Sequence, residues 1–345
     1  MKIFFVAVHA SPAEVSRIAR QAEELGYDGL WASEIRHDPF TGLAMASQVT
    51  ERLSLRTGLA VAFARNPMTT ATLANDIQLA SEGRFGLGLG TQIKAHIVRR
   101  FSMPWQRPVA QLREYVLALR AIWDSYGEEN KLYFRGEFYR HTLKAPFFDP
   151  GENPYGPPPV LLGGVGPVMT EMAGAGADGF LVHSMSSRLF FDEVTLPALR
   201  RGREASGRRW EDFEVNMAPI VATGRTEEEY RAAIAMARRQ IAFYTSTPTY
   251  SSVLELHGLA DVRTELHRLA ALGRIDEMPD VIDDHVLGTF AIVGEPKDAA
   301  AKIRDRFGDA AATVGFYNPD VTDPAYWIPL IAELRCLCYN CPVPQ

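Results

Sequence analysis

Cysteine is almost absent from this sequence, and the three present, Cys336, Cys338 and Cys341, crowd the last ten residues. A CxCxxC cluster offers three thiolates to a soft metal, but a closed zinc site wants a fourth ligand and a rigid frame. We read residues 336–345 as a free tail and expect no metal. Long apolar runs are also missing. None approaches the length that spans a bilayer, which excludes a membrane protein. The opening MKIFFVAVHA has only a short apolar core and runs straight into the amphipathic stretch SPAEVSRIARQAEEL, so it reads as a first strand, not a signal peptide, and the protein as cytoplasmic. Positive charge is not in excess: 36 Lys and Arg face 42 Asp and Glu, a net charge of −6. Such a field disfavours polyanions at long range, so no nucleic-acid partner is expected. Three catalytic signatures are lacking as well, the GxSxG elbow, the HExxH helix and the P-loop lysine.

What the chain does contain is a regular alternation of short apolar strands with helices. Lys2 to Val8 reads as a strand, and Val15, Ile18, Ala22 and Leu25 form one apolar helix face after the Ser11-Pro12 cap. YDGLWAS is a second strand, followed by a helix from Thr41 to Thr50. Leu53 to Phe63 is a third, nearly all apolar as parallel strands covered on both faces tend to be. Its helix begins near Pro67, and Phe85 to Gly90 is the fourth strand, with glycine at alternate positions. Glycine there means that something large lies against that face, a neighbouring backbone or a flat ligand.

From 91 to 159 the rhythm breaks into an insertion with one clear helix, Val109 to Trp123, and a small hairpin suggested by Tyr133-Phe134 and Phe138-Tyr139. Insertions that keep their own secondary structure are usually lids or binding elements. The alternation then resumes with strand five at Val160 to Leu162 and strand six in DGFLVHS. Strand seven in FEVNMAPIVAT and its helix, Glu227 to Phe243, come before a second insertion. Strand eight, Ala312 to Tyr317, is followed by a helix from Pro324 to Leu334. Eight strands close naturally into a TIM (β/α)8 barrel, here with insertions after strand 4 and after helix 7, as a single domain over residues 1–335. The alternative, an open doubly wound sheet, predicts GxGxxG after the first strand, where the sequence has HASPAE instead.

In a barrel the chemistry sits at the C-terminal strand ends. Those ends carry His9; Glu34 with His37; Arg65 after the third strand; Thr91 and Gln92; Gly163, Gly164, Val165 and Gly166; and His183 with Ser184. The GGVGP turn leads into a helix at Pro167 and can seat a phosphate on its backbone N–H groups, although a plain tight βα loop explains the same glycines. His37 can exchange protons near neutrality or simply cap its turn. Glu34 can orient His37, hold a proton, or pair with Arg36 or Arg65. Arg65 can neutralise an acidic ligand or lie solvated. His9 reads as a pocket wall, and Trp105 as the aromatic face of a lid or part of the insertion's own small core.

The runs GYDGLWASE, GLAVAFARNPMTTATLANDIQLASEGRFGLGLGTQ and LLGGVGPVMTEMAGAGADGFLVH resemble the bacterial luciferase-like superfamily of flavin and deazaflavin oxidoreductases, over Lys2 to about Tyr317. HDPF, RFSMPW, FRGEFYRHTL and AFYTSTPTY resemble a subgroup assigned to the deazaflavin coenzyme F420. The resemblance implies a homodimer and F420 as cofactor, with FMN as the alternative. Phosphate would bind at Gly163, Gly164, Val165 and Gly166 beside His183 and Ser184, with Thr91 and Gln92 next to the ring. It also implies a non-proline cis peptide near Ala62-Phe63, backing the ring. His37 or Glu34 would manage the proton that accompanies hydride transfer to or from a small organic substrate, in a pocket including His9, Arg65 and Trp105. Two alternatives stand beside this: a two-component monooxygenase supplied with reduced flavin by a separate reductase, and a non-catalytic flavin- or deazaflavin-binding protein.

Overall fold

A computed structural model describes residues 1–127 and 130–339 of the chain. Its strands, in chain order, are β1 (Lys2–Ala7), β2 (Gly29–Ala32), β3 (Ser54–Thr57), β4 (Ala60–Val61), β5 (Phe85–Gly90), β6 (Phe134–Arg135), β7 (Arg140–His141), β8 (Val160–Gly164), β9 (Gly179–Val182), β10 (Glu214–Met217), β11 (Ile220–Ala222), β12 (Ala291–Val293) and β13 (Thr313–Gly315). Two compact units are distinguishable. One is built from Met1–Val6, Val182–Pro197 and residues 215 onward, the other from Ala7–Leu181 and Ala198–Glu214.

In the second of these units β2, β3, β5 and β8 are parallel neighbours in that order, with Leu30 opposite Leu55, Leu55 opposite Phe85 and Leu87 opposite Val160. Leu30, Leu55, Phe85, Leu87 and Val160 are all buried, which is why these strands read as nearly unbroken apolar runs. The expected third strand, 53–63, is interrupted. β3 stops at Thr57, β4 pairs with the far end of β5, and Ala62–Ala64 form a 3-10 turn. Thr57 bridges the break: its hydroxyl donates to the Gly88 carbonyl at 2.7 Å and accepts the Gly88 N–H at 2.8 Å.

The helix after β2 begins at Pro39, not Thr41, because Asp38 takes the N-cap position and accepts the Thr41 N–H at 3.0 Å. Within the 91–159 insertion, helix Pro108–Asp124 buries Leu112, Val116, Leu119 and Trp123, as its spacing requires. The hairpin forms with Phe134 opposite His141, and Glu114 anchors its turn by accepting the N–H groups of Glu137, Phe138 and Tyr139.

In the other unit β13 lies between β1 and β10, all parallel. The expected seventh strand splits at Ala218-Pro219, and β11 pairs instead with β12, an additional strand between the second insertion and helix Pro296–Phe307. Proline has no N–H to give a ladder, so a strand cannot continue unbroken through Pro219. Helix Glu227–Thr245 starts on a Thr226 N-cap with three glutamates in its first turn, the arrangement a helix dipole favours. In the second insertion a 3-10 segment, Ile275–Val281, precedes helix Asp284–Phe290, because Pro279 interrupts an α pattern there. Among the described residues no helix is long and apolar enough to cross a membrane, and no cluster of metal ligands occurs. Cys336 is exposed, while Cys341 lies outside the described residues.

Candidate functional site

The loop after β2 is built around Glu34. Its side chain is only 7% exposed, and both carboxylate oxygens are occupied. Oε2 accepts from Val61 N–H at 2.7 Å and from Arg65 Nη1 at 2.7 Å, while Oε1 accepts from Arg65 Nη2 at 3.0 Å. Arg65 also reaches Asp38 at 2.5 Å and stacks over the Phe40 ring at 5.2 Å. Burial alone would lower the Arg65 pKa, but the bonds to Glu34 and then Asp38 reverse this and raise it above the usual guanidinium value. The fork is therefore a bidentate, largely desolvated ion pair that staples the β2 loop to the segment following β4. His37 stands on the same loop, exposed, and the partners described for the Glu34 carboxylate are Val61 and Arg65, not His37. Glu34 thus pairs with Arg65 and not with His37 or Arg36.

The insertion touches this loop and its neighbour. Arg100 donates to the Ile35 carbonyl at 3.0 Å, and Trp105 meets the buried Phe63 ring edge-on at 5.9 Å. Phe63 and Ala62 are buried in the 3-10 turn. The non-proline cis peptide lies upstream of them, between Gly58 and Leu59, where the chain leaves β3. The cis bond expected near Ala62-Phe63 therefore falls earlier in the chain, and Leu59 is the residue that follows it.

Leu59 also explains the glycines. A Cβ on Gly88 would fall 2.1 Å from the Thr57 carbonyl and 2.9 Å from Leu59 Cδ2; on Gly90 it would fall 3.1 Å from Leu59 Cδ1, and on Gly163 only 2.3 Å from it. Of the two explanations for the glycine strand, a neighbouring backbone or a flat ligand, the first holds at Gly88. Leu59 spreads across β5 and β8 because none of the three glycines has a side chain to exclude it, and it remains half-buried.

Beyond Gly163 the turn runs into helix Pro167–Gly176. Gly166 is its N-cap, without a side chain to cap it, and the space where its Cβ would lie is open. Pro167 has no N–H, and the N–H groups of Val168 and Met169 have no intrahelical acceptor. Val168 is exposed, so this helix end presents bare donors and the positive end of the dipole to solvent. A terminal phosphate fits such a cradle. At the end of β5, Gln92 adopts positive φ (60°) and accepts the Ile93 N–H on its own side chain at 3.0 Å, while Thr91 donates to the Gln92 carbonyl. His9 is half-buried two residues beyond β1.

In the other unit His183 follows β9 and is enclosed by tyrosines. Its ring lies 4.8 Å from that of Tyr244 and 4.9 Å from that of Tyr250. Burial pushes its pKa down to about 4, so the imidazole is neutral. The Met185 N–H donates to Nδ1 at 3.1 Å, which leaves the ring proton on Nε2, donated to the Tyr250 oxygen at 2.8 Å. Tyr244 donates to Tyr317 at 3.1 Å and also bonds Ser184. Burial raises the pKa of all three phenols, Tyr250 and Tyr317 strongly. Sequence reasoning named His183 and Ser184 but missed these tyrosines. Tyr317 was within reach as a strand-end residue, whereas Tyr244 sits in the last turn of helix Glu227–Thr245 and Tyr250 in the 3-10 turn after it, where no periodicity flags them.

The family described as luciferase-like monooxygenase matches residues 2–313. An uncharacterized protein of Mycobacterium tuberculosis is 49% identical over 298 residues, 86% of this chain and 88% of the relative. An F420-dependent glucose-6-phosphate dehydrogenase of Intrasporangium calvum is 28% identical over 309 residues, 85% of each chain. The coenzyme F420 dependent tetrahydromethanopterin reductase of Methanopyrus kandleri superposes with a TM-score of 0.80 at 20% identity, covering 96% of this chain and 97% of that one. The fold is the TIM (β/α)8 barrel.

Proposed function

We propose that this chain, which belongs to the luciferase-like monooxygenase family, is an oxidoreductase that moves a hydride between coenzyme F420 and a small organic substrate. The observation that carries the reading is the glycine turn together with Leu59: an open, uncapped helix N-terminus adjoining an apolar side chain spread over Gly88, Gly90 and Gly163. An anchor for a phosphate beside an apolar wall is what a phosphorylated, flat cofactor requires. The F420-dependent relatives support that cofactor.

When bound, the deazaflavin supplies a two-electron hydride carrier. The chain's own residues do the rest. Gly164, Val165 and Gly166 hold the phosphate through backbone N–H groups. Leu59, not Ala62 or Phe63, forms the apolar wall. With both oxygens of Glu34 taken by Arg65 and Val61, proton handling at the substrate falls to the exposed His37, and Glu34 positions the loop that carries it. The homodimer belongs to the same reading and is checked by light scattering on the purified protein.

The deciding experiment is titration of the apoprotein with F420 and with flavin mononucleotide, oxidised and reduced, following ring absorbance. Saturable binding of F420 is expected. Tight binding of reduced flavin mononucleotide with none of F420 overturns the proposal in favour of an oxygen-activating flavin monooxygenase.

A further inference from the structure

The hydrogen bonds around His183 run one way and end on phenols that pass nothing on. Because the Met185 N–H occupies Nδ1, the His183 proton sits on Nε2 and goes to the Tyr250 oxygen, so the Tyr250 O–H needs an acceptor elsewhere. Among the described residues it has none. A second chain runs through Tyr244: Ser184 and Gln240 bond its hydroxyl, which donates to the Tyr317 oxygen at 3.1 Å, and the Tyr317 O–H is likewise without an acceptor among the described residues. We propose that Tyr250 and Tyr317 form a binding site for the carbonyl oxygen of an uncharged small molecule.

Both donors belong to one cluster. The Tyr244 ring lies 5.3 Å from that of Tyr250, and its hydroxyl is the one that reaches Tyr317, so Tyr244 holds the two phenols in place. Tyr250 is only 9% exposed, and a donor so enclosed is costly until something accepts it. A cluster that served packing alone would close its own bonds. His183, Tyr244 and Tyr317 are only half-buried, which leaves the cluster a side from which a ligand enters.

The unused groups select the ligand. Both phenol oxygens already accept a hydrogen bond and what remains is O–H, so the ligand must be an acceptor: a carbonyl fits and an ammonium does not. Charge then separates a carbonyl from a carboxylate. His183 is neutral, burial keeps the phenols protonated, and the charge felt at Tyr317 is the Asp320 carboxylate, itself held by Arg239 at 3.0 Å. An anion here would be desolvated beside neutral rings with a carboxylate at the edge. The rings of His183, Tyr244 and Tyr250 favour an apolar or aromatic body on the ligand. The proposal does not depend on hydride transfer and stands if F420 fails to bind.

The test is titration of the full-length apoprotein with acetophenone and, in parallel, with benzoate, a flat acid of similar size, following the heat of binding and the infrared band of an isotope-labelled ketone carbonyl. Saturable binding of acetophenone is expected, about tenfold or more tighter than benzoate. Its carbonyl band should fall below the position it has in hexane, because O–H donors polarise the bond. Tyr250→Phe and Tyr317→Phe each delete one donor, and each should weaken the ketone about three- to tenfold, the net value of one hydrogen bond, and move the band back toward its hexane position. Far-UV circular dichroism like that of wild type in both variants shows that the loss is local. Acetophenone that does not saturate, benzoate bound as tightly, or a hexane-like band on the wild-type protein overturns the proposal, and none of these outcomes needs a variant. Unchanged affinity and band in both variants would mean that water takes the two O–H groups, and the proposal falls.

Discussion

Replacing Arg65 by Met tests how far the loop that presents His37 depends on one ion pair. The Arg65 and Glu34 side chains are 15% and 7% exposed, so removing the cation strands a carboxylate with little water to replace it. Breaking a buried pair from one side costs about 3–5 kcal/mol. The lower end applies here, about 3 kcal/mol, because Glu34 keeps the Val61 N–H. The Asp38 contact adds little, since that carboxylate is 41% exposed. Glu34→Gln leaves Arg65 without its main counter-charge and costs a comparable amount. The two losses describe one interaction, so the double variant should fall about 4 kcal/mol below wild type and not about 6, a coupling of about 2 kcal/mol. Urea unfolding followed by both tryptophan fluorescence and far-UV circular dichroism, with coincident transitions, gives each value. The coupling should persist at about 1 M salt, where an exposed pair would be screened. A coupling below about 0.5 kcal/mol would mean the fork is ornamental, and the assignment of Glu34 as a positioning residue would fall.

Three further outcomes follow from the same geometry. Gly163→Ala sets a Cβ 2.3 Å from Leu59 Cδ1 and should lose about 1–3 kcal/mol; adding Leu59→Ala should recover part of this in a denaturant melt, and simple additivity would show that Leu59 is not what the glycine admits. Gly166→Asp places a capping carboxylate in open space, so it should raise the melting temperature slightly while weakening F420 binding at least tenfold in the absorbance titration. Unchanged affinity would remove the glycine turn as the phosphate seat. For His183 the native pKa, about 4, lies below the unfolded value of 6.5, so the unfolded chain takes up a proton that the native one refuses. The stability it contributes is present above about pH 6.5 and lost as pH falls toward 4, amounting to about 2 kcal/mol by pH 5. Urea midpoints at pH 7.5 and 5 should therefore differ more for wild type than for His183→Gln, and equal differences would place the ring in water.

The βα alternation was legible because each strand is short, apolar and bounded by turn residues, and a parallel strand buried on both faces has little other way to be written. Helix faces such as Val15, Ile18 and Ala22 were legible for the same reason: burial repeats at the helical period. Where periodicity was silent, the reading drifted. Residues 53–63 are mostly apolar, and no pattern in them marks where Thr57 hands over to Leu59. That break depends on a partner 31 residues away, the Gly88 backbone bonded to the Thr57 hydroxyl. Likewise Glu34 offered Arg36, His37 and Arg65 as partners at equal face value, and only the return of the chain after β4 selects Arg65. The glycines of β5 and β8 were the strongest signal and the most ambiguous one, since an absent side chain records that space is needed without saying what fills it. Of these glycines, Gly88 makes room for the Thr57 carbonyl and Leu59, Gly90 and Gly163 for Leu59, whereas Gly166 leaves its space open. A glycine filled by the protein's own side chain can shape a binding wall only indirectly, while one facing solvent at a helix start can meet a ligand, so any anion taken up at this turn must come in over Gly166.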